Sequence, residues 1–418
     1  MTLRLCSATR VVEERVNYRF YCDAHYVPLL IKATWSKIIY NGSFFIMPIV
    51  KEILTFSKDH KSKIQKYFNG GYLYSKTPKL LQEKKKHELN ALFLHTIETP
   101  AELCKFLNTS FFELEELINN PVYKNYTIRK KKGGERQIYS PEKKLKAIQR
   151  RLNYFLQAYY LCIKPNEVFG FVVNPHYLGN YCNIAENAKP HTGKKHLLNI
   201  DLKDFFPSIS ASRIKSVFTS SYFNFSEQIA TALTLLTTYE GKLPIGTPTS
   251  PVISNFVCFQ LDADLKNFCK TNGLQFTRYA DDLTFSSDTL ISIDIVLDII
   301  NLIKKNSFEI NEKKLRLKSS NRKQTVTGLT VNEKVNVDRK LLKKIRAMLH
   351  DLTTNGIDIA TKRHFNLNGE IDTKHRGKFI NRLEGYINFV GQVRGKNDTV
   401  YIKLKQPFDK VFSNTATC

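Results

Sequence analysis

Residues 276–285 read Phe-Thr-Arg-Tyr-Ala-Asp-Asp-Leu-Thr-Phe. Phe276–Tyr279 and Leu283–Phe285 are strand-like runs, and Ala280, Asp281 and Asp282 fall between them. The pattern is a tight hairpin that carries two acids at its tip. Adjacent like charges repel, and each buried carboxylate costs several kcal/mol unless it is paired or binds a cation. One aspartate alone would pass as a turn residue or a helix cap. Turn chemistry does not call for two acids bounded by apolar strands. The pair therefore asks for a metal, and carboxylate oxygens suit Mg²⁺, which usually takes substrate phosphates as further ligands.

Working outward, His196-Leu197-Leu198-Asn199-Ile200-Asp201-Leu202 reads as a short buried strand ending in an acid, 80 residues before Asp281. If strand and hairpin are neighbours in one sheet, three carboxylates converge. Such a cluster can hold two Mg²⁺ about 3.5–4 Å apart, the arrangement used for in-line phosphoryl displacement.

The chain has 418 residues, 64 Lys and Arg against 38 Asp and Glu, and a net charge of +26. Its 42% hydrophobic content supports a large core, which excludes disorder as a whole. The positive excess favours a polyanionic partner, nucleic acid first, although a basic scaffold or membrane-surface protein would share it. Residues 129–151 concentrate ten basic side chains against Glu135 and Glu142, with Gly133-Gly134 as a hairpin tip between two basic strands. Arg136 and Lys130 are the best-placed phosphate donors there; a solvated basic face is the plainer reading. None of the eight cysteines forms a Cys-x-x-Cys pair, so neither a zinc ribbon nor a redox pair is signalled, and reduced thiols suit a cytoplasm. No signal peptide is evident at Met1. Tyr26–Val50 is apolar but carries Lys32 and Lys37, and reads as a soluble stretch or as doubtful coding sequence upstream of Met47.

Lys76–Lys86 reads as a linker or exposed helix. Thr99-Pro100-Ala101-Glu102 is a helix start, with Thr as N-cap and Glu at the third position, and a second short helix is expected over Phe112–Ile118. Beyond Val337 the chain turns helical and basic. Leu341, Ile345, Met348, Leu349 and Leu352 form one apolar face, with Lys340, Lys343, Lys344 and Arg346 mostly off it. A second face runs through Phe379, Ile380, Leu383, Tyr386, Ile387 and Val390.

Several of these segments resemble the motifs of one family. Tyr279-Ala280-Asp281-Asp282 matches the Tyr-x-Asp-Asp motif of reverse transcriptases, and Asn199–Phe206 is similar to their first catalytic motif. Leu243–Pro251 resembles the loop beside the incoming nucleotide, and Glu309–Lys314 the following motif, whose lysine, here Lys314, lies near the triphosphate. The resemblance spans roughly residues 120–335 in the family's motif order. It narrows to bacterial retron reverse transcriptases through Asn187-Ala188-Lys189-Pro190-His191 and Val326-Thr327-Gly328. One departure is Ile245, where many relatives carry Gln; an apolar side chain there removes an amide contact near template or nucleotide.

The resemblance implies an α+β right-hand polymerase with fingers, an antiparallel-sheet palm and a helical thumb. Residues 1–95 would be an N-terminal extension without assigned role, 96–196 fingers with an RNA-binding insertion, 197–337 palm and 338–418 thumb. It implies catalysis by Asp201, Asp281 and Asp282, and two Mg²⁺ held by these with Leu202. Nucleotide contacts would come from Lys130, Arg136, Phe206, Gly246 and Lys314. Phe206 would be a steric gate against ribonucleotides, with ordinary core as the alternative. RNA contacts would come from Asn187, His191, Val326, Thr327 and Gly328; for His191 a buried structural role stays open beside RNA positioning. The implied partners are a cognate structured noncoding RNA and its DNA copy, deoxynucleotide triphosphates and an effector protein in antiphage defence, in a bacterial cytoplasm and without a membrane. Rival readings are a group II intron or other defence reverse transcriptase, a catalytically silent RNA-binding protein, and a two-metal nuclease.

Overall fold

The computed structural model describes residues 46–70, 76–130, 133–173 and 182–413. The readings of Met1, of most of Tyr26–Val50, of Cys6, Cys22 and Cys418, and of Lys131 and Lys132 lie outside the described residues. Two units emerge, each assembled from separate stretches. The first takes residues up to Pro165, Phe171–Val173 and Asp204–Phe268. The second takes Asn166–Gly170, the residues leading to Lys203, and Cys269 onward.

The first unit is mostly helical. Thr99 caps the helix Pro100–Leu107: its hydroxyl accepts from the Glu102 amide at 3.3 Å, and Glu102 accepts in return from the Thr99 amide at 3.1 Å. Ser110 caps Phe111–Asn119, close to the expected span. Helix Lys143–Ile163 packs against Lys86–Leu94. Phe68 stacks on Phe93 at 4.2 Å, and Phe106 and Phe155 complete the cluster. Residues 46–94 are therefore not an appendage, because Ile64, Leu92, Phe93 and Leu94 are buried in the core of this unit. Lys76–Lys86 is likewise no open linker: it holds the one-turn helix Lys79–Gln82, with Leu81 buried. Strands β1 (Tyr123–Arg129) and β2 (Glu135–Pro141) pair antiparallel around the Gly133-Gly134 tip, as the composition required.

The second unit is built on a four-stranded antiparallel sheet. Its strands are β3 (His196–Asp201), β4 (Gln275–Tyr279), β5 (Asp282–Ser287) and β6 (Arg316–Ser319), in the order β4-β5-β3-β6. In chain order, strand, helices, hairpin, helix Ile293–Lys305 and strand follow the split βαβ pattern. A small pair, β7 (Thr325–Val326) and β8 (Leu329–Thr330), precedes three long helices: Arg339–Phe365, Thr373–Arg394 and Thr399–Ser413. Ile345, Met348, Leu352, Phe379, Leu383, Ile387 and Val390 are buried as the periodicity required, with Leu342 rather than Leu341 closing the face. The third helix escaped the sequence reading; it adds Leu404 and Phe408 to the same core. That core also contains Val326, Leu329 and Val337, so no break separates sheet from helices near residue 337. The mixed α+β, antiparallel-sheet and helical-C-terminus architecture is that of a right-hand polymerase. Among the described residues no helix is long and apolar enough to cross a membrane.

Thr99→Ala removes one side of the capping box and is expected to lower the unfolding free energy by about 1 kcal/mol. Urea unfolding checks this, and an unchanged midpoint would refute the stabilising role of the cap.

Candidate active site

The sheet register brings the distant acids together. Asp201 ends β3 and Asp282 begins β5, and the two stand directly opposite each other. Cross-strand neighbours of this kind have Cβ atoms about 4.5–5.5 Å apart. The Leu202 amide donates to the Asp281 carbonyl at 3.0 Å, and the Asn311 amide donates to the Asp201 carbonyl at 2.8 Å. The hairpin tip, the end of β3 and the segment before β6 are thus bound through backbone.

The turn itself is held unusually tightly. Tyr279 pairs with Asp282, which leaves Ala280 and Asp281 as a two-residue loop. Ala280 takes φ of 59°, a left-handed conformation that costs a non-glycine residue about 1–2 kcal/mol. Two contacts keep it there. The buried Arg278 guanidinium donates to the Ala280 carbonyl at 3.2 Å. An extended segment also runs parallel to β4, with the Arg278 amide on the Glu167 carbonyl and the Phe169 amide on the Arg278 carbonyl. This segment delivers Gly170 against the turn. A Cβ on Gly170 would lie 2.2 Å from the Ala280 nitrogen and 2.8 Å from the Tyr279 carbonyl carbon. Gly170 was missed in the sequence; only the glycine inside the apolar run Val168–Val173 hinted at a close backbone approach.

The charges at the tip are incompletely balanced. Desolvation, then repulsion from Asp281 and Asp201, pushes the Asp282 carboxyl up to about 7, and a hydrogen bond to Asp201 adds to the rise. Asp282 is exposed at the start of β5, which moderates the desolvation share. Asp201 is paired instead with Lys314, whose ammonium lies 2.7 and 2.8 Å from its two carboxylate oxygens. No group of three acid, His or Cys side chains among the described residues is closed around a ready-made cation position. The structure joins Asp201 to Asp282 and Lys314, and anchors Asp281 through its backbone. Leu202 is buried, so it can offer a cation only its main-chain carbonyl.

The other expected nucleotide contacts belong to the first unit. Phe205 is buried core, whereas Phe206 is half-buried with its ring 5.6 Å from Phe171. The loop Leu243–Pro251 docks on β2, where the Tyr139 amide donates to the Ile245 carbonyl at 2.7 Å. Gly246 takes φ of 108°, and a Cβ there would meet the Ile138 side chain at 2.6 Å. Ile245 thus contributes its backbone to the dock. Lys130 is exposed at the hairpin tip and Arg136 is half-buried on β2.

The residues expected to contact RNA are mostly buried. Asn187, His191 and Val326 are at most 1% exposed, and a buried side chain cannot touch a macromolecule. Val326 belongs to the hydrophobic core. Thr327 is half-buried and donates to the Ile184 carbonyl, which leaves Gly328 as the exposed member of the set. The His191 ring nitrogens lie 2.7 Å from Ser286 Oγ and 2.8 Å from Thr277 Oγ1. These two bonds give His191 a structural role in the hairpin.

Two outcomes follow from this geometry. Gly170→Ala must shift the hairpin tip, and is expected to destabilise the protein by about 1–3 kcal/mol. Thermal unfolding of the variant checks it, and an unaltered melting curve would contradict the close approach. Burial, with the Lys194 charge, pushes the His191 imidazole down to about 3. The unfolded chain takes up this proton near pH 6.5 and the folded chain does not, so stability falls as pH drops below about 6.5. At pH 5.5 this one group accounts for about 1.4 kcal/mol, and His191→Gln should flatten that part of the unfolding profile. The buried His95 of the first unit, also pushed down to about 3, adds in the same sense and stays in the variant.

Comparison with known proteins agrees with the geometry. Residues 128–331 match the family model "Reverse transcriptase (RNA-dependent DNA polymerase)". The Retron Ec86 reverse transcriptase of Escherichia coli is 35% identical over 237 residues, 55% of this chain and 70% of that one. The Retron Mx65 reverse transcriptase of Myxococcus xanthus is 32% identical, over 54% of this chain and 55% of that one. A telomerase from Candida albicans aligns over 71% of this chain and 64% of its own, with TM-score 0.40 and 10% identity, too distant to carry weight. Given 35% identity across 70% of one such relative, this chain belongs to the reverse transcriptase family, the RNA-dependent DNA polymerases, and within it to the bacterial retron reverse transcriptases.

Proposed function

We propose that this chain copies part of a cognate structured noncoding RNA into DNA, beginning from a 2′-OH of that RNA, so that the product is a branched RNA–DNA molecule. The reading rests above all on Asp201 opposite Asp282 at the ends of β3 and β5, with Lys314 bound to Asp201. A cluster of three acids with a single ammonium on Asp201 suits a divalent cation. Asp201, Asp281 and Asp282, with the Leu202 carbonyl, would hold Mg²⁺. When bound, the ions lower the pKa of an attacking hydroxyl and offset charge on the departing pyrophosphate.

The remaining roles belong to the chain's own residues. Lys314 sits on a short 3₁₀ turn and presents an ammonium suited to a triphosphate. The open part of the Phe206 ring would lie under the nucleotide sugar and clash with a ribose 2′-OH; a clash is needed because an apolar pocket alone rejects an added hydroxyl only weakly. Gly246, where a side chain would meet Ile138, would seat on β2 the loop expected beside the nucleotide. Lys130 and Arg136 supply phosphate contacts, and Lys340, Lys343, Lys344 and Arg346 form a backbone track along the helix after Asp338. Gly328, exposed at the β7–β8 turn, is the member of its tripeptide able to meet RNA. An effector protein and a role in antiphage defence complete the proposal by likeness to the retron group.

Primer extension on RNA with Mg²⁺ tests the enzyme. Asp281→Asn is expected to lower the rate at least about 100-fold, more than the loss typical of a mere outer-shell partner. Equal rates for the variant and the unaltered chain would remove the polymerase reading. Phe206→Ala is expected to admit ribonucleotides, and continued exclusion would return Phe206 to plain core. RNA affinity is expected to fall with salt by roughly 0.7–0.9 log units per phosphate contact per log unit of salt. Sequencing nucleic acid that copurifies with the chain would identify the RNA and show whether a branch is present.

A further inference from the structure

We infer that His191 is a positioning residue for the catalytic hairpin: its imidazole ties β4 to β5 and fixes the register that sets Asp282 opposite Asp201. The inference rests on the polymerase reading for its consequence, and on strand geometry for its substance.

Side chains alternate along a strand, and residues paired across a ladder share a face. The register pairs Tyr279 with Asp282, Thr277 with Thr284, and Gln275 with Ser286. It also pairs Asp201 with Asp282, Asn199 with Thr284, and Leu197 with Ser286. One face of the sheet therefore carries Tyr279, Asp282 and Asp201 at its end, then Thr277, Thr284 and Asn199, then Gln275, Ser286 and Leu197. Asn199 bridges to Thr284 at 3.3 Å. Thr277, Thr284 and Ser286 are all at most 2% exposed. The acids thus stand at the end of a face on which Thr277, Thr284 and Ser286 form a row of buried hydroxyls.

His191 closes the other end of that row. One ring nitrogen meets Thr277 on β4 and the other meets Ser286 on β5, at 2.8 and 2.7 Å. The bonds run diagonally across the hairpin, so they are satisfied in one register only. A slip of one residue would turn Thr277 or Ser286 away and carry Asp282 to the opposite face of the sheet. The hydroxyl of Thr277 also reaches the Asn187 carbonyl at 3.4 Å. The proton order follows: Nε2–H donates to Thr277, Thr277 donates to Asn187, and Ser286 donates to Nδ1. A neutral imidazole is the side chain that gives and takes one bond at once. The helix Ile184–Ala188 and the turn Lys189–His191 pack against β4, which makes the segment Asn187–His191 a brace behind the hairpin.

The test uses the full chain with His191→Ala, His191→Gln and Ser286→Ala. Extension at saturating RNA, RNA binding by fluorescence anisotropy, and Mn²⁺ binding by electron paramagnetic resonance are read for each. His191→Ala is expected to lower kcat about 10–100-fold and weaken Mn²⁺ binding, while RNA affinity stays within about twofold. His191→Gln, which can still donate and accept, should restore part of kcat. Adding Ser286→Ala to His191→Ala should change little, since both remove one bond system. Should His191→Ala not fold, His191→Gln and Ser286→Ala carry the same readouts. A loss of RNA affinity with kcat intact would overturn the inference in favour of RNA contact, and unchanged values throughout would overturn it outright. If the unaltered chain extends no primer, the polymerase reading fails by itself, and the Mn²⁺ measurements still decide the role of His191.

Discussion

Two carboxylates from opposite strands, the buried Asp201 and the exposed Asp282, face each other at the end of the sheet, and much of the surrounding architecture offsets their repulsion. Left bare, such a pair would push its strands apart. In this structure the Lys314 ammonium on Asp201 offsets part of it, and desolvation with the remaining repulsion raises the Asp282 carboxyl to about 7. The local backbone is correspondingly rigid: Ala280 is strained, and Arg278, the Leu202 amide and Gly170 close around it. Strain of this kind persists only where neighbours over-determine it.

Behind the acids the sheet face changes character without changing chemistry. The buried Thr284, Thr277, Ser286 and His191 and the half-buried Asn199 form a polar network. A wholly apolar face would pack as well but would tolerate slippage, whereas directional bonds accept one alignment. Asn187 is the exception, with both side-chain amide atoms buried and unpartnered. The neutral imidazole contributes no charge near the acids, so the brace leaves their electrostatics alone.

The first unit follows a different logic. Its stiffness comes from aromatic packing around Phe93, Phe155 and Phe106 and from capped helices. Within it the loop around Gly246 is seated on β2 by backbone contact and by the lack of a side chain at Gly246. The N-terminal helices contribute to this core, which explains why they carry no chemical motif of their own.

Local pattern was enough to reveal the hairpin around Asp281 and Asp282, the strand ending at Asp201, the capped helix at Thr99, the basic turn at Gly133 and the apolar faces beyond Val337. Each is a periodicity or a cap written within a dozen residues, and short-range sterics enforce it. The family was legible for the same reason, since its motifs are short. What a single chain position could not reveal was which neighbour it would meet. Val326 and His191 are marked in the sequence, yet packing between distant segments made one a core residue and tied the other to Ser286 and Thr277, 95 and 86 residues away. Gly170 had no mark beyond being a glycine, because the atom it must avoid belongs to Ala280, 110 residues on. The sequence by itself thus determined the elements and the acids they carry. Register and packing decided which acids face each other, which lysine neutralises them and which marked residues are hidden, because those depend on contacts between segments that no local pattern encodes.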